Sequence, residues 1–327
     1  MNDTIKANYL NIGFIVLSLG LAFILPIQLF LFSYVVLGPL HYLTEISWLK
    51  DKGFFVKEKK EKLLLFSALI VLLLASSLFE QIGWLSQLRE NYLFILYIGF
   101  LICISLVIFK TDINRIVFVI AGVLGTLVIG NGTFFILMAM YLTTIIHVYI
   151  FTGMFLLYGS LKSPHYSSYI MITLFILAPF VCFIVPLNWT NPATENFIHF
   201  YQHTFSDLNL ITLKAFFDLE NVNVYTNEIS IMLTRFFAFA YTYHYLNWFS
   251  KTKTIKWNNI SKKRGLIIAL IWGACLGLYL IDPILGYSSL FILSFSHVIL
   301  EFPLNGITGL FIYNHLNPFK SKKDNKI

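Results

Sequence analysis

Gln28–Leu49, QLFLFSYVVLGPLHYLTEISWL, carries no Lys, Arg or Asp and a single Glu before the chain reaches Lys50. At about 1.5 Å per residue such a run covers the roughly 30 Å hydrocarbon core of a bilayer. A backbone in hydrocarbon must satisfy its own N–H and C=O groups within the segment, so the run reads as a helix. Further apolar runs occur near residues 9 to 25, 63 to 80, 92 to 109, 116 to 130, 133 to 160, 167 to 187, 229 to 250, 265 to 281 and 286 to 313. The expectation is an all-α fold, a polytopic transmembrane helical bundle of about ten spans, with residues 1–327 forming one integral membrane domain.

Composition agrees. Of 327 residues, 58% are hydrophobic and 12% charged, and the mean hydropathy of +0.76 lies beyond what a soluble domain sustains. The formal charge of +7 does not point to nucleic acid, because the basic residues punctuate apolar runs and form no water-facing cluster. Anionic lipid headgroups are the expected partner for them. Cys103, Cys182 and Cys275 fall inside apolar runs and read as small hydrophobes rather than as a disulfide framework. The first run comes after only Lys6, leads into Pro26 and lacks a small-residue cleavage site, so no removable leader is expected.

Basic residues set the orientation. If the Lys50–Lys62 loop is cytoplasmic, strict alternation places 20 of the 23 cationic residues inside, leaving Arg89 and Lys214 outside and Arg235 within a span. Both termini are then cytoplasmic, and a bacterial inner membrane is the expected setting. The one long extramembrane stretch, about 188–228, is external and net acidic. Its Phe197, Phe200, Phe205, Leu208 and Leu213 suggest helices lying at the interface. His199 and His203 within it share a helical face at a zinc-pair spacing, but no third ligand is nearby, and a surface pair is the plainer reading.

Ionisable residues inside spans are the informative ones, since each needs a partner or a use. They are His41 and Glu45, His147, Arg235 and His244, and His297 and Glu301. The four histidines lie 13, 14, 15 and 11 residues from the outer ends of their helices, taken as Gln28, Thr133, Ile229 and Gly286. They therefore fall in a layer about 6 Å thick. A single membrane histidine ordinarily bonds between helices. Four in one layer, two of them followed by Glu at i+4, point to a shared metal site. Asn247, three residues after His244, joins the same face, and Tyr241, Tyr243 and Tyr245 lie close by. Neutral imidazoles with carboxylates suit iron, zinc, copper or manganese better than magnesium or calcium. Arg235, near an outer end, is expected to snorkel to the interface. The zinc-protease pattern HExxH is absent.

The stretch Gly38-Pro39-Leu40-His41-Tyr42-Leu43-Thr44-Glu45 resembles the Brp/Blh family of membrane β-carotene 15,15′-dioxygenases, in which a Gly/Pro-containing segment precedes a histidine and an acidic residue stands four later. The resemblance implies a polytopic helical enzyme whose histidines hold a non-haem iron that cleaves a carotenoid with O2. It implies His41 as an iron ligand and Glu45 as its supporting carboxylate, and it gives His147 the place of a second single histidine, without the acidic residue found after it there. Tyr241–His244 is similar to the family's aromatic-rich histidine motif, where Trp248 stands in place of a further histidine. His297, which has no counterpart in that pattern, can supply the fourth imidazole.

The resulting expectation is a membrane-embedded metalloenzyme, a non-haem iron oxygenase acting with O2 on an apolar, lipid-soluble substrate such as a carotenoid or other isoprenoid. His41, His147, His244 and His297 bind the metal, while Glu45, Glu301 and Asn247 orient ligands or manage protons. Two other readings are a transporter with an intramembrane His/Glu metal or proton site, hinted at by Gly38-Pro39 and Asp282-Pro283, and a haem protein with axial histidines. Cysteine labelling from the two sides of the membrane checks the topology. Residues 50–62 and 251–264 should react only from the cytoplasm and 188–228 only from outside; the reverse pattern would undo the depth argument.

Overall fold

The computed structural model describes residues 3–52, 92–129, 141–251 and 260–317. The expected span at 63 to 80, the Gly130-Asn131-Gly132 divide, the start of the sixth span and most of the basic loops and tail lie outside the described residues. Those described are 88% helical with no strand, as hydrocarbon demands. In order they form α1 (Asp3–Ile24), α2 (Pro26–Lys52), α3 (Tyr92–Ile108), α4 (Asp112–Ile129), α5 (Leu142–Lys162), α6 (Tyr166–Ile184), α7 (Glu195–Thr204), α8 (Ser206–Phe217), α9 (Glu228–Ser250), α10 (Lys262–Ile281) and α11 (Pro283–Leu316). Among the described residues six stretches are long and apolar enough to cross a membrane, on α1, α2, α5, α6, α10 and α11.

Helix boundaries reflect capping chemistry. His165 caps α6 in a reciprocal box with Ser168, Asn227 accepts the Ser230 N–H at the start of α9, and Ser261 does so for Arg264 in α10. Asp282 accepts the Leu285 N–H ahead of Pro283, a residue suited to the first helical turn. Two helices widen into π-turns. In α2 this is Ser33–Leu37, directly before Gly38-Pro39; Pro39 has no N–H to offer the preceding turn and its ring crowds the carbonyl four residues back. In α5 the π-helical stretch is Leu142–Phe151.

The chain divides into two compact units. The first comprises Met1–His41 and Lys162–Leu290, and α9 is its axis, with residues 237–245 all buried. Tyr, Thr and His keep that helix polar for a span, yet burial on every side is what a central helix shows. Alongside it α1 runs antiparallel, Asn11 meeting Ser250 and Phe23 lying under the Arg235 guanidinium. Helix α6 is antiparallel too, through Phe175 with Tyr243. By contrast α2 runs parallel to α9, as Phe30 faces Phe237 and Ser33 bonds Thr242 at 2.6 Å. The reversal between α1 and α2 is made at Leu25-Pro26.

The segment between α6 and α9 does form helices, α7 and α8, and they pack inward. Tyr201 donates to Asn209, whose amide donates to Ser230 and Thr234 of α9. Arg235 departs from expectation. It is fully buried, donating to the Val185 and Pro186 carbonyls and to Thr190 Oγ1. Val185 is the C-cap of α6 and Pro186 follows it, so the guanidinium stands at the C-terminal end of a helix, where unbonded carbonyls and the helix dipole favour a cation.

The second unit comprises Tyr42–Leu161 and Phe291–Ile327. Helices α5 and α11 run parallel in it, as His147 meets His297, Phe151 meets Phe302 and Tyr158 meets Phe311. Its apolar core gathers Leu49, Phe295, Val298, Ile299 and Phe302. Helices α3 and α4 form a hairpin whose close approach is at Gly122, covered by Leu101.

Where α10 turns into α11, a Cβ on Gly286 would sit 2.6 Å from the Tyr279 backbone. Gly286→Ala should therefore destabilise the protein by about 1–3 kcal/mol, read as a lowered Tm in detergent. An unchanged Tm would show that the turn yields without strain.

Candidate metal centre

Each unit closes one histidine pair. In the first, α2 and α9 bring His41 Nε2 to 3.1 Å from His244 Nε2, with ring centroids 4.7 Å apart and planes at 79°. In the second, α5 and α11 bring His147 Nε2 to 2.9 Å from His297 Nε2, again with centroids 4.7 Å apart and planes at 79°. None of the four is more than 7% exposed. One ring nitrogen from each lies within 4.8 Å of the other three.

Parallel packing explains the pairing. Two parallel helices with matched registers keep residues of equal depth opposite each other, so histidines placed at similar depth meet. Both π-turns fall on histidine-bearing helices. Ser33–Leu37 ends four residues before His41, and His147 lies inside Leu142–Phe151. A wide turn consumes an additional residue and so re-aims the side chains beyond it, and such turns recur at functional sites.

Aromatic rings fix the imidazoles. His41 lies against Tyr245, with centroids 5.1 Å apart, and against Trp248 at 5.4 Å. His297 stacks on Tyr42 at 4.2 Å and 22°. Tyr42 comes directly after His41 on α2. The stacking role of Tyr42 was not readable from spacing, because its partner lies on α11.

The carboxylates are buried, Glu45 at 2% and Glu301 at 3% exposure. Glu301 does not serve the histidine on its own helix. Its Oε2 lies 3.1 Å from His147 Nδ1, off the ideal hydrogen-bond line. The i+4 spacing puts Glu301 on the histidine face of α11, and from one turn along that helix its side chain reaches across to α5. Glu45 keeps its place one turn beyond His41 on α2. Asn247 is buried at 4% exposure, and its Oδ1 makes no hydrogen bond among the described residues.

The remaining histidines have other roles. His165 is a helix cap, His315 stacks on Phe311 near the end of α11, and His199 and His203 adjoin each other on an exposed face of α7. No further group of metal-binding residues occurs among the described residues.

Two imidazole nitrogens at 2.9–3.1 Å either share a proton or turn two lone pairs towards one cation; bare lone pairs at that distance repel. Adjacent donors around a six-coordinate ion with metal–nitrogen distances near 2.1 Å stand about 3.0 Å apart, and around a tetrahedral one about 3.4 Å. Four buried histidines within metal-binding distance are thus compatible with a histidine-ligated metal site, and the pair spacing is nearer to the six-coordinate edge. No protein-family model, curated protein or solved structure matches the chain.

Replacing Glu301 by Gln retains the shape but removes the charge facing His147. The affinity for an added divalent transition metal should fall about 10- to 100-fold, measured by competition with a chelator, while His199→Ala and His203→Ala should leave it unchanged. Equal effects at both places would separate Glu301 from any metal.

Proposed function

We propose that the chain is a membrane-embedded metalloenzyme, a non-haem iron oxygenase acting on a carotenoid-like or other isoprenoid lipid. The observation that carries the reading is the convergence of four buried imidazole nitrogens within 4.8 Å inside helices built for hydrocarbon. On this reading His41, His147, His244 and His297 hold the ion. A bound iron would supply the activation of O2 that oxidation of an unsaturated hydrocarbon requires.

The chain's own residues do the rest. Glu301 holds the proton on His147 Nδ1, which leaves the Nε2 lone pair free to bind and makes the ring a stronger donor. Glu45 serves the α2 side of the site in the same manner, and Asn247 orients a ligand from α9. Tyr42, Tyr245 and Trp248 lock the rings and keep water away from them. An all-imidazole donor set with carboxylates outside it suits iron, and the resemblance of Gly38–Glu45 to the Brp/Blh dioxygenases supports iron and O2 over other metals. Burial favours a substrate delivered through lipid, since a water-soluble one would need a polar route. The reading includes about ten spans, cytoplasmic termini and contacts of the basic loops with anionic headgroups in a bacterial inner membrane.

The test is elemental analysis with a visible spectrum on protein purified without chelators. We expect close to one iron per chain, no haem band, and strong loss of metal when any of the four histidines becomes Ala but not when His165 or His315 does. A haem band would replace this reading with axial ligation. Protein free of every transition metal would end it.

A further inference from the structure

Two cavities in the first unit share Gln28 as a lining residue. The larger, about 650 Å3, is walled by hydrocarbon from α1, α2 and α10, including Leu25, Phe32, Val36 and Leu276, and is roofed by Phe197 and Phe200 of α7. Its volume is that of a ligand pocket. The smaller, about 160 Å3, lies against the segment after α6, and its side-chain polar groups come from Gln28, Thr190, Asn191, Tyr225 and Thr234. Gln28 lines both. Its amide oxygen is shut from solvent and makes no hydrogen bond among the described residues.

An open apolar groove that shares an amide with a small polar niche has the layout of an amphiphile site. We propose that these cavities bind one long-chain lipid bearing an uncharged hydroxyl-type end group, with the chain in the large cavity and the end group in the niche. Charge decides the end group. No charged residue lines the niche, and a carboxylate or phosphate would be desolvated there without a direct counter-ion. Amides and hydroxyls both donate and accept, which matches a hydroxyl. The Gln28 oxygen gains the donor it lacks by a turn about its terminal torsion, which is soft.

The direction of the chain is set by α2. From Gln28 to Val36 the wall runs about 12 Å along the helix axis, and His41 lies about 7.5 Å further on the same helix. Trp272 donates to the Val36 carbonyl at 2.9 Å and marks the inner end of the wall. A molecule anchored at Gln28 therefore lies lengthwise along α2, so on the metalloenzyme reading the part of it nearest in depth to His41 is along the chain rather than at the end group. The position of reaction rests on the metalloenzyme reading; the binding site itself does not.

The experiment uses the full-length purified protein in detergent and an 18-carbon alcohol carrying an alkyl diazirine. On irradiation it should label peptides of α1, α2 and α10. Oleyl alcohol should compete about tenfold better than 1-octadecene and better than oleate, the worth of roughly one buried hydrogen bond. Gln28→Leu should erase the preference for the alcohol over the alkene while retaining labelling, which also shows that the variant folds. Leu276→Trp should block labelling. Equal competition by alkene and alcohol, stronger competition by oleate, or an unchanged preference in Gln28→Leu would overturn the proposal. His244→Ala should label as the native chain does. Alcohol selectivity in a protein that never holds metal would sink the metalloenzyme reading alone, and a metal-loaded protein without selectivity would sink the lipid site alone.

Discussion

Imidazole and carboxylate groups placed in hydrocarbon must be met by other polar groups, because a charge or an unmet donor there costs several kcal/mol. That requirement governs where the helices can stand. His41 has to face His244, His147 has to face His297, and Glu301 has to find His147. Each contact fixes a helix pair in both depth and rotation. Generic apolar packing does not achieve this, since Leu slides against Leu or against a lipid tail with little change in energy. Arg235 applies the same rule away from the histidines, binding the end of α6 to α9 through carbonyls that would otherwise lack partners.

Parallel pairing is the architectural answer. Helices adjacent in an up-and-down bundle run antiparallel, whereas α2 with α9 and α5 with α11 run the same way and are separated in sequence by long excursions. Such pairs cannot be made by short loops, so the intervening spans exist partly to return the chain to the correct side. The folded segment α7–α8 has a place in this. Its Phe205 packs edge-on against Phe30 of α2, at 4.8 Å between centroids, while Asn209 bonds α9. It thereby ties the Phe30 end of α2 to the N-terminal part of α9.

Much of this was legible in the sequence, and the failures share one cause. Helix positions came from apolar runs because a membrane allows few alternatives. The four histidines stood out because imidazoles are rare in such runs, and their depth could be counted. Legibility stopped where rotation mattered. The i+4 rule puts Glu301 on the histidine face of α11, but which imidazole it meets depends on which neighbouring helix it faces, and no count along one helix supplies that. Long cationic side chains usually reach outward to the interface, but the carbonyls of Val185 and Pro186 offer Arg235 a closer destination. Tyr42 went unnoticed as a stacking residue among many aromatics, as its role exists only through α11. The π-turns were invisible for the same reason, although Pro39 was a clue to one of them.

The wide turn at Ser33–Leu37 makes the length of α2, rather than any functional group in it, part of the site's specification. Each additional residue in a helical turn advances the phase of everything beyond it by about 100°. The face that α2 shows before Ser33 and the face it shows from His41 onward are thus set independently. A helical wheel drawn through the whole of α2 has no meaning past Leu37. Deleting one ordinary aliphatic residue from the wide turn would remove no ligand, acid or aromatic ring, yet it would aim His41 at a different neighbour. Evolution can therefore tune, or silence, such a centre by counting residues.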